Sequence, residues 1–106
     1  PQAVAAARIP VEDYAGPVLV IGGGDDQVWD SGGMALAIAG RRRAAGRETE
    51  LLRYPEAGHA LSGPGWAPTT GYNAGPMKMG GHPAADARAV AEAWPRTLAF
   101  LRRTLG

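Results

Sequence analysis

Two short polar clusters contain the residues of this sequence that are best suited to acid–base chemistry. The first holds two adjacent carboxylates, Asp25 and Asp26, directly after three glycines, and the second ends in His59. A carboxylate that hydrogen-bonds one imidazole nitrogen fixes the tautomer and stabilises the protonated ring, so the other nitrogen can take a proton from a nucleophile. The two clusters therefore predict an acid–histidine pair in which His59 is the base and one of the aspartates is the acid.

Each of these residues also has a structural interpretation that requires no chemistry. The aspartates could cap the helix that follows or lie in a turn, where aspartate is common, and His59 could be a surface loop residue. His82, the only other histidine, stands just before Pro83 and is more simply explained as part of the loop that leads into the last helix. The histidines and aspartates match no metal-ligand spacing, so we expect no metal site.

Two further features could be interpreted as anion-binding sites. The glycine triplet Gly22–Gly24 is not followed by Gly-Lys-Ser/Thr, and the two carboxylates after it would repel a phosphate, so we reject a phosphate-binding loop. A run of arginines could meet the phosphates of a substrate, but at a helix end it more simply predicts a solvated cluster that the helix dipole favours. The run comprises Arg41, Arg42, Arg43 and Arg47.

The two polar clusters follow two stretches with strand character. Pro17–Ile21 is a continuous apolar run, and Thr49–Tyr54 is a second, shorter strand. A run without polar alternation is typical of a strand that is covered on both faces, as in a parallel sheet. Between the two strands, Gly32–Ala45 is predicted to be a helix with Ser31 as its N-cap.

The remaining residues predict a leading segment, a long loop and a final helix. Residues 1–16 show no clear period, and Glu56–Pro83 is rich in Gly and Pro. Ala84–Leu105 is predicted to be a helix, with Pro83 suited to its first position and Pro95 introducing a kink or a restart. The helix is indicated by one apolar stripe, formed by Val90, Trp94, Leu98, Leu101 and Leu105.

The order of these elements predicts an α/β fold in which the two strands pair in parallel. Functional groups gather at the carboxyl ends of parallel strands, and neighbouring strands lie about 5 Å apart, so the acid and the histidine can come within hydrogen-bonding reach. Two strands cannot bury both faces of a parallel sheet. We therefore expect the rest of the sheet to come from an upstream segment or a partner chain.

Composition excludes several classes of function. The formal net charge of the 106 residues is +1, which gives no electrostatic basis for binding nucleic acid. The absence of cysteine excludes disulfides, thiolate metal sites and a cysteine nucleophile within these residues. No apolar run reaches the length of about 18 residues that a membrane span requires, and we expect a cytoplasmic location. Because the sequence begins with Pro1, we expect a processed N-terminus or a segment of a longer protein.

Three stretches carry a resemblance to a known family. They are GPVLVIGGGDDQVWDS (Gly16–Ser31), LLRYPEAGHAL (Leu51–Leu61) and GGHPAADARAVAEAWPRTLAFLRRTL (Gly80–Leu105). Together with the intervening helix they cover nearly the whole chain. The chain resembles the C-terminal domain shared by acyl-CoA thioester hydrolases and bile acid-CoA:amino acid N-acyltransferases. Bacterial relatives in the α/β-hydrolase superfamily are described as dienelactone-hydrolase-like.

The resemblance implies that residues 1–106 are the C-terminal part of one α/β-hydrolase domain, with Asp26 as triad acid and His59 as triad base. The family nucleophile, a serine or cysteine on a strand-to-helix elbow, lies upstream of this region, in keeping with the chain order serine, acid, histidine. Ser31 and Ser62, the only serines of the chain, lie in no Gly-x-Ser-x-Gly elbow. The implied function of the longer protein is hydrolysis or transfer of an acyl group from a thioester or ester, such as an acyl-CoA, without a cofactor. The chain by itself is expected to be inactive.

The sequence does not decide the role of the loop after His59, and it is compatible with two other functions. Trp66 could line an acyl pocket, Trp94 is expected in the core, and Ala60–Gly81 could close over a substrate or wrap the surface. One alternative function is a truncated, non-catalytic module that binds a partner chain. Another is an ester hydrolase or peptidase of the same fold.

Overall fold

The computed structural model of the chain describes residues 2–66, 69 and 75–106. Within these residues the elements follow the order α1 (Gln2–Ala7), β1 (Val18–Gly23), α2 (Ser31–Ala44), β2 (Thr49–Tyr54) and α3 (Pro83–Leu105). The strands β1 and β2 pair in parallel, and α2 connects them. The predicted α/β fold is confirmed, and the short helix α1 is an element that the sequence pattern did not predict.

The two strands run in register, so both reach the same edge of the sheet together. Val18 lies opposite Thr49 at one end of the ladder, and Gly23 lies opposite Tyr54 at the other. The first strand extends two residues beyond the predicted end because Gly22 and Gly23 belong to the ladder. A Cβ on Gly22 would lie 2.9 Å from the Cβ of Ala35 on α2, so this strand end packs against the helix only without a side chain.

The helix α2 begins one residue earlier than predicted, and its N-cap is Asp30, not Ser31. The Asp30 carboxylate accepts a hydrogen bond from the Gly33 amide at 2.9 Å. Ser31 is the first helical residue, and its hydroxyl accepts from the Gly23 amide at 3.1 Å. The predicted N-cap is wrong because the serine hydroxyl is occupied with the end of β1 and the neighbouring carboxylate takes the capping role.

Arg42 is fully buried, so the prediction of a solvated arginine cluster is wrong for this residue. Its guanidinium has five N–H donors, and each finds an acceptor within the fold. The acceptors are the Thr49 hydroxyl and the carbonyls of Val11, Tyr14, Gly16 and Glu48, at 2.5–3.2 Å. Through these bonds Arg42 fastens the leading segment and the beginnings of both strands to α2.

The other three arginines also bind within the chain. Arg41 forms an ion pair with Glu12 at 2.6 Å, and Arg47 donates to the Glu12 carbonyl at 2.9 Å. Arg43 is exposed and donates to the Thr49 carbonyl at 3.2 Å. The arginine run therefore holds the leading segment and β2 in place, which accounts for its position without an anionic ligand.

The last helix begins at Pro83, as predicted, with His82 as its N-cap. The His82 ring nitrogen Nδ1 accepts from the Ala85 amide at 3.3 Å. The helix continues through Pro95 without the predicted restart. Its first half is buried, at Ala85, Asp86, Ala89, Val90 and Ala93, whereas Trp94 is half-buried and Leu101 and Leu105 are exposed. The apolar stripe is thus covered over only part of its length.

The core is small and lies between β2, α3 and the loop after β2. Ala57, Leu61 and Ala89 form its buried cluster, with Ile21 and Tyr54 packed against it. A separate apolar groove of about 430 Å³ is open between the leading segment, β1 and α2. In the part of the chain that the structure describes, no helix combines the length and apolar character needed to cross a membrane.

Replacing Arg42 by alanine should destabilise the fold far more than replacing its neighbour Arg43. The first change leaves the carbonyl oxygens of four residues without their charged donor. A hydrogen bond to a charged group contributes about 1.5–3 kcal/mol, so we expect a loss of at least about 3 kcal/mol. Arg43→Ala, which removes an exposed side chain, should change the free energy of unfolding by no more than about 0.5 kcal/mol. Urea denaturation followed by circular dichroism measures both. Equal effects would contradict the structural role of Arg42.

Candidate active site

Asp26 and His59 meet at the carboxyl edge of the sheet. The Asp26 Oδ2 atom lies 3.0 Å from the His59 Nδ1 atom. The Asp26 side chain has no exposed surface, whereas the His59 side chain is 26% exposed. An ionised carboxylate only accepts hydrogen bonds, so Nδ1 carries the proton and Nε2 of the neutral ring keeps a free lone pair. The structure therefore brings together the two residues singled out in the sequence and leaves one imidazole nitrogen able to accept a proton.

The direction of the Asp26 side chain is fixed by its own turn. Its second oxygen, Oδ1, accepts from the backbone amides of Val28 at 2.9 Å and Trp29 at 3.2 Å. This is the local side-chain-to-backbone bonding that aspartate favours after a strand. One carboxylate oxygen is thus held by the turn, and the other is directed at His59.

The pKa of Asp26 lies below its ordinary value of 3.8. Burial of the carboxylate raises the pKa, but hydrogen bonds from the Ser31 hydroxyl, the His59 ring and two backbone amides outweigh the burial. The group stays ionised at neutral pH. The ionised carboxylate can therefore accept the Nδ1–H hydrogen bond of the His59 ring at that pH.

The neighbouring Asp25 is directed elsewhere. Its Oδ1 accepts from the Gln27 side-chain amide and its Oδ2 from the Gly81 backbone amide, both at 2.8 Å. Of the two adjacent aspartates, Asp26 is the one bonded to His59. Asp25 has the structural position that the sequence predicted for it.

The loop that carries His59 is held by a buried carboxylate that sequence reasoning missed. Asp86, in the first turn of α3, is 2% exposed and accepts from the Gly58 amide at 2.9 Å. The His59 amide donates to the Met79 carbonyl at 2.9 Å. An acidic residue in the first turn of a helix already has a local explanation, because the helix dipole favours it. No pattern in the sequence points from Asp86 to a glycine 28 positions away.

Trp29 forms one wall beside the imidazole. Its ring meets the His59 ring edge to face, with the centroids 4.7 Å apart and an interplanar angle of 89°. Trp66, which the sequence offered as a pocket residue, is 84% exposed and does not line the cavity at His59. The loop Ala60–Gly81, for which the sequence left open whether it closes over a substrate or wraps the surface, falls partly outside the described residues.

A cavity of about 230 Å³ opens beside the acid–histidine pair. It is lined by Ile21, Gly22, Asp26, Trp29, Ser31, His59, Leu61 and Ser62. The lining combines apolar side chains with the acid–histidine pair and two serines, which suits a substrate whose reacting group is polar and whose body is apolar. Among the residues that the structure describes, no three acidic or histidine side chains are grouped as ligands of a metal ion would be.

The lowered pKa of Asp26 predicts a specific dependence of stability on acid. Since the folded pKa lies below the unfolded value near 3.8, the ionised carboxylate stabilises the fold above that pH. This contribution is lost as the pH falls through the folded pKa, and Asp26→Asn lacks it at every pH. We expect the stability difference between wild type and Asp26→Asn to shrink as the pH is lowered from about 5 to about 2. Urea unfolding at each pH measures it, and a constant difference would contradict the assignment.

Comparison with known proteins identifies the family. Residues 2–106 match the family described as "BAAT / Acyl-CoA thioester hydrolase C terminal". The chain is 34% identical over 102 residues to acyl-coenzyme A thioesterase 6 of Mus musculus. It is 33% identical over 103 residues to acyl-coenzyme A thioesterase 1 of Homo sapiens. It is 34% identical over 105 residues to acyl-coenzyme A amino acid N-acyltransferase 1 of Mus musculus.

Each of these matches covers 92% of the chain and 24% of the relative, so the chain spans about a quarter of the length of the curated relatives it matches. The resemblance drawn from the three sequence stretches is confirmed. The chain belongs to the family of BAAT / acyl-CoA thioester hydrolase C-terminal domains, which has an α/β-hydrolase-like fold.

Proposed function

We propose that this chain supplies the acid and the base of a catalytic triad to a nucleophile outside these 106 residues, in an enzyme that hydrolyses acyl-CoA thioesters. The observation that carries the proposal is the 3.0 Å hydrogen bond between the buried Asp26 carboxylate and the His59 ring. It leaves Nε2 as the ring nitrogen not bonded to Asp26, and His59 lines a cavity of about 230 Å³. The names of the relatives, thioesterases and an N-acyltransferase, support an acyl-CoA as the substrate class.

In the proposed mechanism His59 moves one proton in each half of the reaction. Nε2 takes the proton of the serine or cysteine as its oxygen or sulfur attacks the thioester carbon, and Asp26 stabilises the imidazolium that forms. Collapse of the tetrahedral intermediate breaks the carbon–sulfur bond, and His59 returns the proton to the departing thiolate. Water, deprotonated by the same nitrogen, then attacks the acyl-enzyme. The bond between the acyl carbon and the nucleophile breaks, His59 returns the proton to the serine oxygen or cysteine sulfur, and the carboxylic acid leaves. Backbone amides near the nucleophile elbow would hold the oxyanion.

Two features support a nucleophile outside the chain. The Ser31 hydroxyl accepts from the Gly23 amide and its hydrogen bond helps to lower the pKa of Asp26, so it is occupied at the junction of β1 and α2. Ser62 follows His59 by three residues on the same irregular loop and lies on no strand-to-helix elbow, the geometry that exposes the nucleophile in this fold.

We further propose that residues 1–106 form part of a single larger domain. The apolar side chains of β1 are only partly buried, and the groove beside them is open, which fits a sheet that continues beyond these two strands. The relatives are about four times as long as the segment they share with this chain. Hydrolysis and amide formation differ only in whether water or an amine attacks the acyl-enzyme, and we propose water.

Replacing His59 by alanine in the natural full-length polypeptide should abolish hydrolysis of acyl-CoA. We expect kcat to fall at least about 1,000-fold for His59→Ala, because the nucleophile loses its base. Asp26→Asn should cost about 1,000- to 10,000-fold, because an amide favours the wrong imidazole tautomer. Release of the CoA thiol from acetyl-CoA, decanoyl-CoA and palmitoyl-CoA measures both.

The matched control is His82→Asn, which removes the other histidine while keeping a good N-cap for α3. Its kcat should stay close to that of the wild type. Equal activity in His59→Ala and wild type would contradict the triad. Absence of activity from the wild type on every acyl-CoA and on p-nitrophenyl butyrate would favour the non-catalytic module.

A further inference from the structure

We propose that Met79–Gly81, here called the clasp, fixes the distance between Asp26 and His59, with Asp86 and Asp25 as the positioning residues that hold the loops around it. The proposal rests on the proposed function, because it concerns how that acid and that base are kept in contact. Asp26 and His59 lie on separate loops, 33 residues apart in the chain. The ladder brings the ends of their strands together, but neither loop is itself part of the ladder.

The clasp joins the two loops through one carbonyl oxygen. The Met79 carbonyl accepts from the Gln27 amide at 3.3 Å and from the His59 amide at 2.9 Å. Gly80 forms an antiparallel bridge with Asp26 itself. A single stretch of backbone is therefore bonded to His59 on the base loop and to Gln27 on the acid loop, with Gly80 opposite Asp26.

Two carboxylates fix the loops on either side of the clasp. Asp25 Oδ2 accepts from the Gly81 amide at 2.8 Å, and Asp86 Oδ1 accepts from the Gly58 amide at 2.9 Å. Asp25, which precedes the acid, thus binds the clasp, and Asp86 binds the residue that precedes the base. Hydrogen bonds to an ionised acceptor are about twice as strong as neutral ones. The charge of Asp86 is also favoured by its place in the first turn of α3.

The two glycines of the clasp leave no space for a side chain. Gly80 and Gly81 have φ angles of +76° and +66°, in the left-handed region that glycine adopts most readily. A Cβ on Gly80 would overlap the Asp25 carbonyl oxygen, and one on Gly81 would overlap the Asp86 carboxylate and lie 2.5 Å from the Gly58 nitrogen. A methyl group at either position must move the acid loop or the base loop.

Asp86 acts through Gly58 and is therefore a positioning residue. Removing its carboxylate frees the amide next to His59, so the imidazole is no longer held at hydrogen-bonding distance from Asp26. Misplacement of a catalytic group by about 1 Å can cost about 100-fold in rate. The effect falls on kcat, because substrate binding does not depend on the Asp26–His59 bond.

The test compares Asp86→Ala, Asp86→Asn and Gly81→Ala in the natural full-length polypeptide. We expect Asp86→Ala and Gly81→Ala to lower kcat for decanoyl-CoA by about 10- to 100-fold with KM little changed. Asp86→Asn keeps an acceptor oxygen for the Gly58 amide and should recover most of the loss. The second readout is the NMR signal of the His59 Nδ1 proton, assigned by its absence in His59→Ala. This signal should broaden or disappear in the two damaging variants and persist in Asp86→Asn.

Gly65→Ala is the matched control. Its new Cβ would lie 2.8 Å from the Ala91 Cα atom, a clash of the same kind on a loop outside the clasp. It should change the thermal midpoint without changing the Nδ1 signal. An intact Nδ1 signal in Asp86→Ala overturns the clasp, and so does an equal loss of that signal in Gly65→Ala.

The outcome is distinguishable from failure of the proposed function. Full activity in His59→Ala would overturn the triad, while the Nδ1 signal would still show whether the clasp holds Asp26 against His59. Should Gly81→Ala not fold, the comparison between Asp86→Ala and Asp86→Asn decides alone.

Discussion

The site depends on the parallel backbone ladder between β1 and β2. Its last pair is Gly23 with Tyr54, so the loops after β1 and β2 leave the sheet side by side. The residue of β1 in this pair is a glycine and has no side chain. The hydrogen bonding continues past the strands, from the Gly24 amide to the Tyr54 carbonyl at 2.8 Å and from the Asp25 amide to the Ala57 carbonyl at 2.9 Å. The acid and the histidine meet because the loops stay paired beyond the point where regular strands end.

A buried charge lies near each end of this ladder. At the amino end, the Arg42 guanidinium bonds the carbonyls of Gly16 and Glu48, the residues that lead into the two strands. At the carboxyl end, Asp86 bonds Gly58 beside the histidine. Both charged side chains form hydrogen bonds with backbone groups, the carbonyls in the case of Arg42 and an amide in the case of Asp86. Neither of these bonds is to an oppositely charged side chain. Buried ions bonded in this way impose a geometry, since removing either one leaves backbone groups without partners.

Regular elements and the two central residues could be predicted because their signals are local. Thr49–Tyr54 has the predicted strand bounds, and α3 begins at Pro83 as predicted. His59 and the pair Asp25 and Asp26 follow strands, where parallel sheets concentrate polar groups, and the family resemblance singled out Asp26. Other contacts could not be predicted, because each joins distant segments through a residue with an adequate local explanation. Arg42 is explained locally by its place at a helix end, and Asp86 by its place at a helix start. The burial of these two side chains and the backbone groups that they bind are visible only in the folded structure.

The partly buried first strand has a consequence for the behaviour of the isolated chain. Within the described residues β1 has a strand neighbour on one side only, and its sequence, Val-Leu-Val-Ile, contains neither a charge nor a proline. Natural sheets protect free edges with lysine, proline or a bulge, and an unprotected apolar edge is a template for pairing with another copy. These 106 residues expressed alone would therefore self-associate through the free edge of β1. A higher solubility of the chain would then indicate that another segment or partner has covered this edge.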